Sequence, residues 1–282
     1  MNAYDNFKKL HAQEAPLLLP NAWDALSALI LEQAGFKAIG TTSWGMANSL
    51  GYQDGEMISF QACLSIVEKM MAVVSIPVTV DIESGFAETN DEIIDNVITL
   101  ANLGVVGINI EDSFKPFASH LADSVEGGLK DTAAHGELIK SIRSGLDDAG
   151  YQDFFINARI DAYFHAKDPL QETITRGSYY IASGASGIFV PGMIQSDDIK
   201  AVTRSIAAPV NVMSLPALTD ISQLQDLGVK RFSIGNALSD LTIAFIEHTA
   251  STLLKQSNTA ALYQNPAFNT QVSTVFKVNA SV

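Results

Sequence analysis

Acidic side chains stand at the ends of two neighbouring apolar runs in the chain. Asp81 and Glu83 close the run PVTVDIE, and Glu111 closes the run VVGINIE. If both runs are strands, alternation places Asp81 and Glu83 on one face, and the three carboxylates gather around one rim. Unpaired carboxylates at this spacing raise each other's pKa, and a hard divalent cation relieves the repulsion. This oxygen-only set predicts a Mg²⁺ site, with Mn²⁺ as the substitute.

A cationic side chain lies at the same predicted rim. The run FFINARID carries Asn157, Arg159 and Asp161 at alternate positions, which share one face of a strand. The planar guanidinium of Arg159 offers two parallel donors, a geometry that matches the carboxylate of a small acid substrate. In the alternative interpretation, Arg159 only neutralises the acidic cluster in a structural ion-pair network.

The remaining reactive residues favour other chemistry less. Cys63, the only cysteine, lies in a helical pattern that predicts a small buried residue. The sequence places no lysine at an inward strand position, which a Schiff-base aldolase needs. The predicted turns at residues 213–216 and 235–238 carry no Lys or Arg, which disfavours a sugar-phosphate substrate. The histidines share no metal-ligand spacing, and they are His11, His120, His135, His165 and His248.

Eight apolar runs alternate with amphipathic stretches and would position these side chains. Such runs are typical of a parallel sheet covered on both faces, and glycine follows several of the helical stretches as a C-cap. This order predicts an α/β fold, a (β/α)8 TIM-type barrel formed by residues 1–282 as a single domain. The alternative is a doubly wound open sheet, but no G-x-G-x-x-G motif follows any run. The predicted strands are residues 17–20, 37–42, 77–83, 105–111, 154–160, 187–191, 209–213 and 231–235.

Two segments exceed what a barrel needs. Residues 113–130 are long and lack a helical period, which predicts a lid loop over the active site. Residues from about 241 to 282 contain one or two further helices. We interpret this C-terminal helical extension as a segment that packs on another subunit.

The charge balance narrows the range of partners. Of 282 residues, 17 are Lys or Arg and 31 are Asp or Glu, so the formal net charge is −14 at pH 7. Nucleic acid and anionic membrane surfaces both need a basic face, and we expect neither as a partner. One cysteine cannot build an internal disulfide framework. The sequence contains no secretory h-region and no apolar run of membrane-spanning length, which predicts a soluble cytoplasmic protein.

Several motifs together resemble the isocitrate lyase/phosphoenolpyruvate mutase superfamily. The likeness extends from Pro20 to about Asp240 and rests on TTSWGMANSLGYQDGE, PVTVDIESGF, GVVGINIEDS, INARIDAY, GIFVPG and PVNVM. The resemblance implies an α/β barrel whose terminal helix is exchanged between subunits of a homo-oligomer, a dimer of dimers. It also implies Mg²⁺-dependent cleavage or formation of a C–C or P–C bond beside the carboxylate of a small 2-oxo acid, through an enolate-like oxyanion.

The resemblance also implies roles for single positions. Asp81 would be the principal metal ligand, and Glu83 and Glu111 would hold metal-bound waters. Arg159 would bind the substrate carboxylate, and Asp54 would act near the reacting group. The other substrate-binding positions are Ser43 with the amides of Trp44 and Gly45, as an oxyanion pocket, and Asn211 of PVNVM.

The predicted lid departs from the pattern of the family's lyases. Members that cleave isocitrate or 2-methylisocitrate carry a Lys-Arg-Cys-Gly-His run there, whereas this chain has SFKPFASHLADSVEGGLK and no cysteine. We therefore predict C–C cleavage of an oxaloacetate-like substrate, with phosphonopyruvate or phosphoenolpyruvate P–C chemistry as the alternative. A catalytically idle binding or assembly module is a third alternative. His120 is the predicted lid group for proton exchange, because an ordinary histidine pKa of about 6.5 suits that task.

Overall fold

The computed structural model describes residues 2–114 and 128–264, and a single parallel sheet forms its centre. The strands are β1 (Leu17–Leu19), β2 (Asn21–Ala22), β3 (Ile39–Thr41), β4 (Val78–Asp81), β5 (Gly107–Glu111), β6 (Phe155–Arg159), β7 (Gly187–Phe189), β8 (Val210–Met213) and β9 (Arg231–Ser233). Their hydrogen-bonded order is β1-β9-β8-β7-β6-β5-β4-β3-β2.

The sheet closes through its first strand. β1 pairs with β9 and β2 pairs with β3, and only Pro20 separates β1 from β2. Proline has no N–H to donate, so the ladder is interrupted there, while the Pro20 carbonyl still accepts the Gly40 N–H at 2.9 Å. β1 and β2 therefore act as one broken strand in an eight-membered ring. The predicted α/β TIM-type barrel is confirmed.

Helices connect the strands, and local sequence signals set their ends. The helices are α1 (Ala3–His11), α2 (Ala25–Gln33), α3 (Ser43–Ser49), α4 (Phe60–Met71), α5 (Asn90–Asn102), α6 (Thr132–Asp148), α7 (Ala162–His165), α8 (Pro169–Ala182), α9 (Ser196–Ser205), α10 (Ile221–Asp226), α11 (Ala237–Gln256) and α12 (Ala260–Gln264). Asp24 and Thr89 form capping boxes at the starts of α2 and α5. Gly104 (φ +95°) and Gly184 (φ +107°) follow α5 and α8 in the left-handed conformation that favours glycine, as predicted for C-caps.

The core includes a large outer cluster and a smaller cluster at the lower end of the barrel. Val80, Ile108 and Ile156 of adjacent strands are fully buried in the outer cluster, together with apolar residues of the surrounding helices. A second cluster lies at the lower end of the barrel, where the strands begin, and joins Phe7 of α1 to Phe155 of β6. Helix α1 therefore closes the barrel from below.

The two additional segments are described in part. Residues 115–127 of the predicted lid lie outside the described residues, but the ends of the segment pair with each other. The Phe114 N–H donates to the Gly128 carbonyl at 2.8 Å, and the Lys130 N–H donates to the Asp112 carbonyl at 2.7 Å. The predicted C-terminal extension is described as far as residue 264, within α11 and α12. In the described part of the chain, no helix combines the length and the apolar character needed to cross a membrane.

Candidate active site

A pocket opens at the C-terminal ends of the barrel strands, where barrel enzymes place their active sites. It encloses about 180 Å³, which suits an acid of a few carbon atoms, since pockets for drug-sized ligands take roughly 300–1,000 Å³. Its polar lining comprises Asn21, Thr41, Thr42, Ser43, Asp54, Asp81, Asn109, Arg159, Ser233 and Asn236, and its main apolar lining comprises Trp44, Phe164, Phe189, Pro191 and Met213.

Asp81 is a carboxylate that the sheet itself brings to the pocket. It is the last residue of β4, and its N–H donates to Thr41 Oγ1 of β3 at 2.9 Å. The Glu83 N–H donates to Asp81 Oδ1 at 3.1 Å. Two backbone contacts therefore hold Asp81 at the rim, where strand alternation placed it.

The position of Glu83 differs from the prediction, which placed its side chain on the same strand face as that of Asp81. β4 ends at Asp81, and Glu83 has a left-handed backbone with φ of +51°. Its carboxylate is 2% exposed and accepts the Glu56 N–H, at 3.0 Å from each oxygen. Because the extended geometry stops before Glu83, alternation no longer determines its direction, and Glu83 does not line the pocket.

The loop that carries Asp54 is fastened by a reciprocal exchange with the end of β4. The Glu56 carboxylate accepts the Ser84 N–H at 2.8 Å, the Ser84 hydroxyl at 2.6 Å and the Phe86 N–H at 3.1 Å, while Glu83 accepts the Glu56 N–H. Asp54 lines the pocket, and its buried Oδ1 has no hydrogen-bond partner among the described residues. A buried acceptor of this kind is costly unless a ligand, water or proton satisfies it.

Arg159 is held between two buried carboxylates. Its Nη1 lies 2.8 Å from Glu111 Oε2, and its Nε and Nη2 donate to Asp161 at 2.7 and 3.1 Å. Burial opposes the charge of Arg159, but the attraction of Glu111 and Asp161 outweighs it and holds the pKa of Arg159 above its usual value. The structural ion-pair network therefore exists. Among the described residues, the network accounts for hydrogen bonds from Nε and Nη2 and for an ion pair at Nη1. A guanidinium has five N–H groups, so part of this donor set can serve a ligand.

A second ionic network, around Asp112, anchors the end of β5. Asp112 accepts hydrogen bonds from Arg176 Nη1 at 3.0 Å, the Tyr180 hydroxyl at 2.8 Å and the Asp161 N–H at 3.0 Å. Burial raises the pKa of Asp112. Arg176 Nη1 also donates to the Lys130 carbonyl at 2.9 Å, so this network fastens the base of the predicted lid to the barrel.

The first turn of α3 places two of its three predicted residues at the pocket. Ser43 and Trp44 line it, whereas the Gly45 N–H donates to Thr42 Oγ1 at 3.3 Å, as expected for the N-cap of α3. That N–H is therefore engaged within the helix. Trp44 Nε1 donates to Asp240 Oδ1 at 2.8 Å, which ties the pocket rim to α11.

Below the pocket lies a layer of buried polar side chains, of which sequence reasoning recognised Asn157 and Asn211. Asn211 is buried, and neither of its amide atoms has a hydrogen-bond partner in the described structure. Its register neighbour Arg231 on β9 was missed, although the alternation of Arg231 and Ser233 in RFSIG could have revealed an inward position. Burial lowers the pKa of Arg231 to about 9, against the opposing attraction of Asp81.

The other reactive residues lie away from the pocket or outside the described part. Cys63 is buried in α4, as predicted, and burial raises the pKa of its thiol to about 12. His11 and His135 are buried outside the pocket, and His165 is exposed at the end of α7. His120 lies outside the described residues, so its role stays a prediction.

The donor set of the pocket fits a cation that keeps part of its water shell. Within residues 2–114 and 128–264, no group of three or more His, Cys, Asp or Glu side chains has a metal-binding arrangement. Mg²⁺, however, usually retains several waters and takes only one or two protein carboxylates. Asp81, together with the unsatisfied oxygen of Asp54, offers the hard oxygen ligands that such an ion prefers.

The sequence has relatives over most of its length. Residues 7–254 match the phosphoenolpyruvate phosphomutase family. An uncharacterized protein of Mycobacterium tuberculosis is 39% identical over 234 residues, which cover 82% of each chain. Oxaloacetate decarboxylase 1 of Pseudomonas fluorescens is 27% identical over 231 residues, which cover 80% of this chain and 75% of that protein.

Solved structures share the fold. A protein from Burkholderia cenocepacia, provisionally described as a phosphonomutase, superposes with a TM-score of 0.80 and 32% identity, over 88% of this chain and 99% of that chain. A phosphonopyruvate hydrolase in complex with oxalate and Mg²⁺ superposes with a TM-score of 0.79 and 22% identity, over 92% of this chain and 89% of that chain.

Proposed function

Because the chain belongs to the phosphoenolpyruvate phosphomutase family, we propose that it is a Mg²⁺-dependent lyase-type enzyme. In this proposal it cleaves a C–C bond beside the carboxylate of a small 2-oxo acid. Oxaloacetate is the simplest substrate of that class, and oxaloacetate decarboxylase 1 of Pseudomonas fluorescens is among the relatives.

The observation that carries the proposal is the composition of one small pocket. Arg159, Asp81 and Asp54 all line it. The N–H groups of Arg159 that no described residue engages suit a substrate carboxylate. Asp81 suits a divalent cation, which stabilises the negative charge that develops on a reacting 2-oxo acid. A cationic group, an anionic group and an unsatisfied oxygen meet in a pocket of about 180 Å³. Packing alone does not explain this combination, which favours a small polar ligand that reacts there.

In the proposed mechanism, Asp81 would hold Mg²⁺ directly. Glu83 and Glu111 would hold metal-bound waters, which are the roles that the family resemblance implies for them. When bound, Mg²⁺ supplies the positive charge that stabilises an enolate-like oxyanion.

The chain's own side chains would orient the substrate and control protons. Arg159 binds the substrate carboxylate and keeps the breaking bond in one orientation. Asp54, with its buried unsatisfied oxygen, exchanges a proton near the reacting carbon, and His120 remains a candidate for the same step. Trp44 and Phe164 restrict the access of water, which would protonate an enolate prematurely.

P–C bond chemistry on phosphonopyruvate is the second candidate, supported by the family match itself. The dianionic phosphonate group of phosphonopyruvate needs more cationic hydrogen-bond donors than a carboxylate does. Among the described lining residues, Arg159 is the one Lys or Arg side chain. We therefore rank C–C cleavage first.

The test is a panel of 2-oxo acids, including oxaloacetate and phosphonopyruvate, assayed with Mg²⁺ and with EDTA. We expect turnover of oxaloacetate or a close homologue with Mg²⁺ and none with EDTA. Turnover of phosphonopyruvate alone would favour P–C chemistry. No turnover, together with no rise of the thermal midpoint on adding Mg²⁺ and oxalate, would indicate an idle binding module instead.

The assembly belongs to the same proposal. Helix α11 exposes apolar side chains on several sides, with Leu241 66% and Ile246 60% exposed. Large apolar side chains exposed together are typical of a protein–protein contact, so we propose that α11 packs on a second copy of the chain within a dimer of dimers. Light scattering should give about four times the chain mass of 30.2 kDa. Phe245→Glu should lower that mass, Glu247→Gln on the same helix should not, and a monomeric wild type would contradict the proposal.

A further inference from the structure

A buried guanidinium lies inside the barrel immediately below the pocket. Arg231 precedes Ser233 by two positions on β9, and Ser233 lines the pocket, whereas Arg231 is 1% exposed. Bulky apolar side chains usually fill the inward positions of such barrels. A charge there is costly unless other groups compensate for it, so packing alone does not account for Arg231.

The hydrogen bonding of Arg231 points to a single neighbour. Its Nη2 donates to Asn109 Oδ1 at 3.4 Å, and no described residue accepts a hydrogen bond from its Nε or Nη1. Burial lowers the pKa of Arg231 only to about 9, so the group is a cation at neutral pH. A protonated guanidinium carries donors and no acceptor. The atom that Asn109 turns towards Arg231 must therefore be its oxygen.

Asn109 connects this guanidinium to the pocket. Asn109 lines the pocket, and its Oδ1 also accepts Asn157 Nδ2 at 2.9 Å. The hydrogen bond between Asn109 and Asn157 does not by itself show which amide donates. If both amide groups rotate by 180°, donor and acceptor are exchanged and the hydrogen bond is kept. Arg231 removes this ambiguity, since a turned Asn109 would direct its NH₂ group against N–H donors. The Asn109 Nδ2 then remains for the pocket, and no described residue accepts a hydrogen bond from it.

From this geometry we propose that Arg231 is a positioning residue, which orients the Asn109 amide so that Nδ2 donates to an oxygen atom of the bound acid. Asn109 contacts the substrate, and Arg231 acts through Asn109. The inference rests on the proposed function, because it requires a carboxylate or carbonyl oxygen in the ligand. It adds a specificity rule: an acid with an apolar group at this place leaves the amide unpaired and binds more weakly.

A double-mutant cycle on oxalate binding tests the coupling, by titration calorimetry in saturating Mg²⁺. Asn109→Ala should weaken oxalate binding roughly tenfold to hundredfold, the range for a hydrogen bond to a charged group. Arg231→Met should weaken it about twofold or more, because the competent Asn109 orientation is then populated in only about half of the molecules. Arg231→Lys, which retains a donor-only cation, should restore most of the affinity. The double variant should bind like Asn109→Ala, and additive losses would overturn the proposal.

Thr79→Val is the matched control. Thr79 lies on β4 in the same buried layer, its Oγ1 has no hydrogen-bond partner in the described structure, and it makes no hydrogen bond to Asn109. Its isosteric replacement should leave oxalate affinity unchanged. A loss as large as that of Arg231→Met would mean that any change in this layer disturbs the pocket, and it would overturn the assigned role.

A measurement without ligand separates this inference from the proposed function. In ¹⁵N-labelled protein, the Asn109 side-chain amide should give one set of signals in the wild type and two sets, or exchange broadening, in Arg231→Met. Arg231→Gln serves the same purpose if the Met variant does not fold, because Gln both donates and accepts. One unchanged set of signals overturns the inference even if oxalate binds. Failure of the wild type to bind any oxo acid overturns the proposed function, while the amide result still decides the orientation.

Discussion

The two ends of the barrel interior are built from the same strands but carry opposite kinds of side chain. At the lower end, Phe7 packs edge-on against Phe155 with ring centroids 5.6 Å apart, and His11 stacks on Phe155 at 4.5 Å. At the upper end, Asp81 and Arg159 face a pocket. At the lower end, the side chains can be optimised for packing. The upper end keeps charged groups and atoms without hydrogen-bond partners, because a bound ligand can pair with them.

Asp81→Ala should produce the largest effect and should act on the upper end alone. We expect Mg²⁺-dependent turnover to fall by on the order of a thousandfold or more, because the pocket loses its metal carboxylate. The fold should stay largely intact, because Asp81 lies at the pocket rim and its side chain fills no part of the apolar core. Steady-state kinetics and circular dichroism measure the two effects.

Asp153→Ala is the matched control for Asp81→Ala. Asp153 is exposed at the lower end, where it lies 3.5 Å from Lys8, and its loss should not change turnover. If Asp81→Ala kept near-wild-type turnover with Mg²⁺ present, the metal assignment would be wrong.

Phe7→Ala should produce the opposite outcome to Asp81→Ala. Phe7 is 1% exposed in the lower cluster, and its truncation should lower the free energy of unfolding by about 3–5 kcal/mol. Turnover per folded molecule should not change. Phe164→Ala is the counterpart at the pocket, where the ring is 55% exposed, and it should raise KM with less than about 1 kcal/mol of destabilisation. Urea unfolding and steady-state kinetics measure both variants. If each variant changed the free energy of unfolding and KM to the same extent, the comparison of the two ends would be wrong.

The pH dependence of stability should report on the lower end. Burial lowers the pKa of His11 to about 3, and the charge of Arg231 acts in the same direction. In the unfolded chain this histidine titrates at about 6.5, so between these values the unfolded state binds more protons. Stability should therefore fall as the pH drops from about 6.5 towards 3, at about 1.4 kcal/mol per pH unit for each such histidine.

Substitution identifies the histidine that is responsible. His11→Asn should reduce the slope of unfolding free energy against pH, with the buried His135 supplying a similar share. His165→Asn, at an exposed position at the end of α7, is the control and should leave the slope as it is. Equal slopes in wild type and His11→Asn would show that His11 is not held neutral.

Trp44→Phe should produce small effects on both stability and kinetics. It removes the hydrogen bond from Nε1 to Asp240 at 2.8 Å and retains most of the ring. We expect a loss of about 0.5–1.5 kcal/mol in unfolding free energy and a small rise of KM, because Trp44 also lines the pocket. A loss as large as that of Phe7→Ala would mean that the upper rim contributes to stability as much as the lower cluster.

Much of the fold was predictable because its signals are local. Apolar runs and glycines after helices act over a few positions, and they predicted the eight-membered ring and the C-caps that end several helices. The interruption of the first strand at Pro20 was not predicted. The cause of the interruption is local, because proline lacks an N–H. Its effect is that β1 pairs with β9 and β2 pairs with β3, and this effect appears only when the barrel closes.

The residues of the candidate site were predictable where they belong to regular strands. Asp81 and Arg159 end regular strands, and alternation placed both at the pocket. Glu83 lies beyond the end of its strand, where a left-handed residue redirects the chain. The Gly45 amide was assigned to the pocket by resemblance, and the hydroxyl of Thr42 engages it instead.

The sequence by itself determined the barrel and the places of Asp81 and Arg159 at the pocket, since each depends on residue type and period. Tertiary structure alone decided which polar groups meet. Glu83 pairs with a backbone N–H 27 residues away, and Arg231 meets Asn109 across 122 residues. Such contacts depend on how distant strands close into a ring, and the free energy of burying a charge depends on all of the groups around it. No local pattern contains that information.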